Sequence, residues 1–436
     1  MSDWSIRDLE VWDDKINQLA ESYGLDWFPI NYEICDYYEM IGHMSYHGLP
    51  SHYGHWSYGK SFERTHQMYN LGMEGLPYEL IINSNPSIAY LMRENPLYLQ
   101  ILIMAHCVGH SDFFKNNRVF SHTRPDTAVS RFRNAKKRIQ SYTENPNIGL
   151  EKVESFLDVI HSIKFQTERN NIKRISRSDI KKRKIEEINN SDSKYSFRES
   201  DFDKRLLRKD NDLLAFLLEY GTHFKDWELD IINIVRDESQ YFIPQINTKI
   251  LNEGWASFWH YKIMNEIDLP QKYHIPFLKS HNQVIRPHLG ALNPYHLGFH
   301  IFQKVEREEG LEKCFFIREV HDDAGAVGKY LDIEDFRELN IFSYSTKKNG
   351  ASIDDISDEE GYKRVKQDLV MNTGTNSIPY VIVSDITDRG HLVLEHRHDG
   401  RDLELEYAEE VVCKIRKIWP SDVKFFTIIE EELFEV

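Results

Sequence analysis

Leu97-Tyr98-Leu99-Gln100-Ile101-Leu102-Ile103-Met104-Ala105-His106-Cys107-Val108-Gly109-His110 is apolar on nearly every side and ends in two histidines four residues apart. A run that is apolar all round reads as a helix buried in a protein core. Pro96, just before it, stands where such a helix begins. Residues four apart on a helix lie one above the other. Both imidazoles can therefore converge on one ion, which is the geometric basis of H-x-x-x-H zinc pairs. The bland alternative is a pair of hydrogen-bonded core histidines, because imidazoles in so apolar a setting are costly without partners.

A second stretch bears on that choice. Leu251-Asn252-Glu253-Gly254-Trp255-Ala256-Ser257-Phe258-Trp259-His260 lies in a predicted helix from Thr248 to Asn265. Glu253, Ser257 and His260 fall at i, i+4 and i+7, on one face. A carboxylate among aromatics needs a cation or a hydrogen-bond network. Two histidines from one helix and a glutamate from another make a three-ligand set with a position open to water, as in catalytic zinc sites. His106, His110 and Glu253 are thus the candidate ligands for zinc or another divalent transition metal.

The neighbouring residues supply candidate catalytic groups. His260 is the first candidate for the base and Asp112 the second, although Asp112 equally suits the orientation of His110. Tyr295 is a candidate donor to an oxyanion. Cys107, three residues before His110, permits a different mechanism: a thiolate–imidazole pair serving thioester or amide transfer. Its plain alternative is a small buried hydrophobe. His55 and Lys60, in a Trp/Tyr/Gly-rich turn, are candidate substrate-binding residues. His43, His47, His52 and His66 nearby make this the densest histidine region, and the His43–His47 spacing also suits a metal pair. His396-Arg397-His398 follows a predicted strand and suits docking better than catalysis.

The chain has 436 residues, enough for two or three domains, with 41% hydrophobic and 28% charged residues. That composition excludes a disordered or collagenous chain, and no apolar run approaches the ~20 residues of a membrane span. The start, Met-Ser-Asp-Trp-Ser-Ile-Arg-Asp, lacks the basic and then apolar pattern of an export signal. Four scattered cysteines, Cys35, Cys107, Cys314 and Cys413, form no disulfide framework, so a reducing cytoplasm is expected. The net charge of −16 argues against general nucleic-acid binding. It is unevenly spread, because residues 171–210 hold 13 of the 54 Lys+Arg and only 8 of the 70 Asp+Glu. That stretch reads as a basic, mobile insertion.

Helices are predicted over Asp8–Tyr23, Pro86–Glu94, from Leu97, and over Asp212–Tyr220 and Trp227–Tyr241. Strands at Pro379–Ser384 and His391–His396 are joined by Asp388-Arg389-Gly390, a hairpin signal. An amphipathic helix within 403–418 and a strand at Val423–Ile429 follow. The expected organisation is a helical part over 1–165, the insertion over 166–211, a second helical part over 212–329 and a small α+β domain over 330–436.

Two resemblances add to this reading. Asn252-Glu253-Gly254-Trp255-Ala256 resembles the N-E-G-x-A segment of gluzincin-type zinc aminopeptidases, whose glutamate is the third zinc ligand. Those enzymes carry H-E-x-x-H with a glutamate base, and here that position is Cys107. The resemblance implies an α+β fold with a predominantly helical, zincin-like main domain, and a water-activating group from elsewhere. More broadly, His55-Trp56-Ser57-Tyr58-Gly59-Lys60, Tyr78-Glu79-Leu80-Ile81-Ile82-Asn83-Ser84, Gly109-His110-Ser111-Asp112-Phe113-Phe114-Lys115-Asn116-Asn117, the Asn252–Tyr261 run, Asn293-Pro294-Tyr295-His296-Leu297-Gly298-Phe299 and His396-Arg397-His398-Asp399-Gly400-Arg401 resemble motifs of the stage V sporulation protein R (SpoVR) family, in the family's order. That resemblance implies a cytoplasmic protein linked to spore cortex formation, with gene neighbours encoding a PrkA-type serine protein kinase and its partner protein. It implies no settled reaction. Metal-dependent amide-bond chemistry, Cys107-dependent amide transfer and an inactive scaffold for the kinase system are the three functions compatible with these residues.

Overall fold

The structure is a computed structural model and describes residues 4–70, 79–170, 174–189, 206–287, 292–341, 343–347, 350–355 and 359–436. It is a mixed α+β protein whose compact units are not consecutive in the chain. One comprises residues 1–136 and 244–377, the other 137–243 and 378–436. Among the described residues no helix is long and apolar enough to cross a membrane.

In the first unit, Ile6–Ser22 is helical, as expected from its spacing, and Ser5 and Asp8 form a capping box at its start. Three strands follow, with Ser87–Met92 in the middle, parallel to Ile30–Cys35 and antiparallel to Glu79–Ile82. The middle strand corrects the expectation of a helix over Pro86–Glu94. A six-residue apolar run has no period that separates strand from helix, and here pairing on both edges decided it.

Leu97–Asn116 is the expected buried helix, with every residue from Leu99 to Phe114 buried. It packs on Lys249–Glu266, which packs in turn on Pro294–Glu309. Small residues make both contacts possible. A Cβ added to Gly109 would lie 2.7 Å from Ala256 Cα, and one added to Gly254 would lie 2.3 Å from the Gly298 carbonyl carbon. One added to Gly298 would fall 2.0 Å from the Ile250 oxygen. Around these contacts Trp255, Phe258, Trp259 and Phe302 fill the core. Residues 330–377, expected in the small C-terminal part, contribute Phe336 and Val365 to this same core.

In the second unit the helices Leu150–Ser162, Leu213–Tyr220 and Leu405–Arg416 accompany a four-stranded sheet. Its order is Val381–Ile386, Leu392–His396, Val423–Ile429, Glu432–Glu435. The first two strands form the expected antiparallel hairpin, with Gly390 at φ +82° in its turn. The mobile-insertion reading of 166–211 falls in part on residues 171–173 and 190–205, which lie outside the described residues. Within the rest, Arg177–Asn189 is a helix rather than loop, and Arg174 pairs with Asp210 and Glu219.

Gly298→Ala is expected to cost about 1–3 kcal/mol or more through backbone overlap, read as a lowered thermal midpoint. Gly42→Ala, in a helix where an added Cβ meets nothing within 4 Å, should leave stability unchanged or raise it by a few tenths to 1 kcal/mol.

Candidate metal centre

The touching backbones bring the two predicted motifs together. His106 and His110 point from one helix toward Glu253 on the next, with His110 Nε2 3.3 Å and His106 Nε2 3.6 Å from Glu253 Oε2. A fourth group, not singled out from sequence, is Glu79 on an outer strand of the three-stranded sheet, with Oε1 3.6 Å from His106 Nε2. One donor atom from each of Glu79, His106, His110 and Glu253 lies within 4.8 Å of every other.

Three observations fit this set to a divalent ion. His106 Nε2 and Glu253 Oε2 are buried with no hydrogen-bond partner, which is costly in a protein interior. The donors are two imidazoles and two carboxylates, a set suited to zinc and its neighbours. Ligands at bonds of about 2.0–2.2 Å in tetrahedral directions stand roughly 3.3–3.6 Å apart, and Glu253 Oε2 lies 3.3 and 3.6 Å from the two imidazole nitrogens. Two carboxylates also balance a divalent charge.

The charges are already partly matched within the protein. Burial pushes the Glu253 carboxyl up, but the charges of Lys249 and His110, with the His106 ring close by, outweigh it and hold it well below the usual range. Lys249, four residues earlier on the helix, bonds Glu253 Oε1. Burial lowers His110, and the Glu253 carboxylate overrides that, leaving it raised. His110 Nδ1 lies 2.9 Å from Asn252 Oδ1, which can only accept, so the ring donates there and turns Nε2 to the site. Asn252 and Lys249 are thus further site residues, and only their place beside Glu253 marked them.

The remaining candidates are distributed differently from expectation. His260 does lie on the Glu253 face, but it sits behind His106. Its Nδ1 is 2.8 Å from His106 Nδ1 and its Nε2 is 2.8 Å from His281 Nδ1. Both of its ring nitrogens are thus taken up by other imidazoles. Asp112 is turned to Asp26, Trp255, Arg318 and Asn116, none of them in the cluster. Burial raises its carboxyl to about 6, and it braces the core. Cys107 is fully buried, and burial, with Glu79 and Glu253, pushes its thiol well above the ordinary value. That is opposite to what a thiolate nucleophile needs. Tyr295 does reach the site. Its ring lies 6.2 Å from that of His106, with the Glu253 and Glu79 carboxylates near its hydroxyl. Burial, then Glu253 and Glu79, keeps that hydroxyl protonated.

His55 and Lys60 are not part of the cluster. His55 is buried with Nδ1 2.7 Å from Ser57 Oγ, and Lys60 is exposed beside Trp56. His43 stacks on Tyr90, with centroids 3.9 Å apart. His396 is buried on Thr427 Oγ1 at 3.0 Å, and His398 lies 3.0 Å from Asp402. His281 carried no signal in the sequence, because it stands on a separate helix, Gln271–Val284.

Purified protein is expected to hold one divalent transition-metal ion per chain, measured by elemental mass spectrometry, and His106→Ala or Glu253→Gln should lower occupancy at least tenfold. Occupancy should fall with pH. An entering ion must displace the proton that Glu253 helps His110 keep, so release begins above the ordinary imidazole value of about 6.5.

Comparison with known proteins follows the same motifs. The family model described as SpoVR like protein matches residues 3–378. The chain is 30% identical over 471 aligned positions to the uncharacterized protein YcgB of Escherichia coli (strain K12), covering 97% of this chain and 92% of that one. No solved structure matches. With the family model spanning most of the sequence and a full-length relative aligned beside it, the chain belongs to the SpoVR family.

Proposed function

We propose that this protein is a metal-dependent enzyme acting on an amide bond, by hydrolysis or acyl transfer, at a gluzincin-like site formed by His106, His110 and Glu253 with Glu79 as the water-activating base. The observation that carries this reading is the cluster of Glu79 with the buried His106, His110 and Glu253, in which two buried donor atoms have no hydrogen-bond partner. When bound, a divalent ion supplies Lewis acidity, polarising a carbonyl and making water acidic enough to attack near neutral pH.

The chain's own groups divide the remaining work. Glu253 Oε1 is bonded by Lys249 and its Oε2 faces both histidines, so this carboxylate is fully engaged in holding the site. Glu79 approaches only His106, and its side chain is 12% exposed, nearer to solvent. Its Oε1 is therefore placed to take a proton from water and return it to a leaving amine. This strand residue would supply in space what Cys107 does not supply in the H-x-x-x-H motif. The protonated Tyr295 hydroxyl donates to a developing oxyanion, and Lys249 adds positive charge beside it. A scaffold for a PrkA-type kinase and its partner protein would have no use for a buried carboxylate and a buried imidazole nitrogen left without hydrogen-bond partners, which cost stability. Spore-cortex precursors, protein termini and small amines all offer amide bonds suited to such a site.

The test is an activity screen on peptides and peptidoglycan stem peptides with purified, zinc-loaded protein. Chelation should abolish turnover and zinc should restore it, while thiol alkylation leaves it intact. Loss to alkylation alone would overturn the proposal. Glu79→Gln is expected to retain the metal and lower kcat by about 10²–10⁴-fold.

A further inference from the structure

We propose that His106, His260 and His281 form a chain of neutral imidazoles whose tautomers reverse together when a divalent ion enters the site. The inference rests on the metal reading above and extends it to two residues outside the ligand set.

Each link joins two ring nitrogens at 2.8 Å, His106 Nδ1 to His260 Nδ1 and His260 Nε2 to His281 Nδ1. A hydrogen bond between two ring nitrogens holds one proton, and a neutral imidazole carries one proton on two nitrogens. The direction of one link therefore fixes the direction of the next. Neutrality is favoured throughout the outer pair. His260 is fully buried with both ring nitrogens against other imidazoles and no carboxylate bonded to it, a setting in which a charged ring is costly, while burial and His106 bring His281 down to about 4.

Only two arrangements satisfy these conditions. Without an ion, His106 Nε2 faces the carboxylates of Glu79 and Glu253 at 3.6 Å each and keeps its proton there. Its bare Nδ1 then accepts from His260 Nδ1–H, and His260 Nε2 accepts from His281 Nδ1–H. With an ion, His106 Nε2 must offer its lone pair and the pattern inverts. The Nε2 proton of His106 leaves to solvent, the shared proton of each link crosses to the ring nearer the metal, and His281 Nε2 takes one proton from water. All three rings end neutral, and the protein gains or loses no net proton along the chain. His281 Nε2 has no hydrogen-bond partner among the described residues, and its ring is held between Tyr261 and Phe299. The chain is thus a positioning device. It presents the His106 lone pair to the ion, the role that a carboxylate or carbonyl behind the ring plays in other metal sites.

The experiment is long-range ¹H–¹⁵N correlation on ¹⁵N-histidine-labelled full-length protein, metal-free and loaded with one equivalent of zinc. His281→Gln assigns one signal set. The expected result is His260 protonated at Nδ1 without zinc and at Nε2 with it. Zinc bound at one equivalent with an unchanged His260 tautomer would overturn this inference and leave the metal reading standing. Failure of zinc to bind would overturn both. In parallel, His281→Leu should weaken zinc binding by about 10–100-fold, whereas His281→Gln, whose side-chain oxygen still accepts from His260, should recover most of it. Equal affinity in the two variants would also count against the chain.

Discussion

Helices packed through ordinary side chains keep their axes about 8–10 Å apart, and short donor sets on opposite helices then stay out of reach. Here the backbones of three helices touch. Gly109 lies against Ala256, and Gly254 lies against Gly298. Everything about the site follows from that contact. It sets the His110 and His106 nitrogens 3.3 and 3.6 Å from the Glu253 oxygen, and it leaves the aromatic residues between to close the core around them. In the Asn252-Glu253-Gly254-Trp255-Ala256 run, the glutamate is the chemistry, while the glycine and alanine are the clearance that lets it work.

A core so assembled has an electrostatic problem. Glu253 is buried and Glu79 nearly so, and each charge needs compensation. Lys249 and His110 meet Glu253 from one side. Asp323, from a different helix, accepts from the backbone N–H of Ile250 and Leu251 at 2.8 Å each and so caps the helix that carries Glu253. Even with these groups, the cluster keeps two donor atoms facing one point. That is the condition a cation relieves. The imidazoles behind His106 differ in kind. They bring no charge of their own and direct the ring through hydrogen bonds alone.

Much of the site was legible in the sequence because its local geometry is helical. The spacing of His106 and His110, and of Glu253 and His260, follows from 3.6 residues per turn, and the structure keeps both pairs on the faces assigned to them. Glu79 falls within a family motif but has no spacing to mark it as part of the site, since a strand residue meets a helix only through tertiary packing. His281 was silent for the same reason. Cys107 and Asp112 had the right neighbours in sequence and the wrong direction in space. Successive helical side chains point about 100° apart, and only the packing of the helix decides which of them faces the cluster.

The sequence by itself determined which segments are helices buried on all sides, where the metal-binding residue types fall on them, and which family the motifs resemble, because those are properties of composition and period. Tertiary structure alone decided that Pro86–Glu94 is a central strand, that residues 330–377 complete the core of the first unit, that Glu79 joins the histidines, and that His260 stands behind His106 and not across from it. Each of these depends on which surfaces meet. That is set by complementary packing between segments far apart in the chain, and no local pattern encodes it.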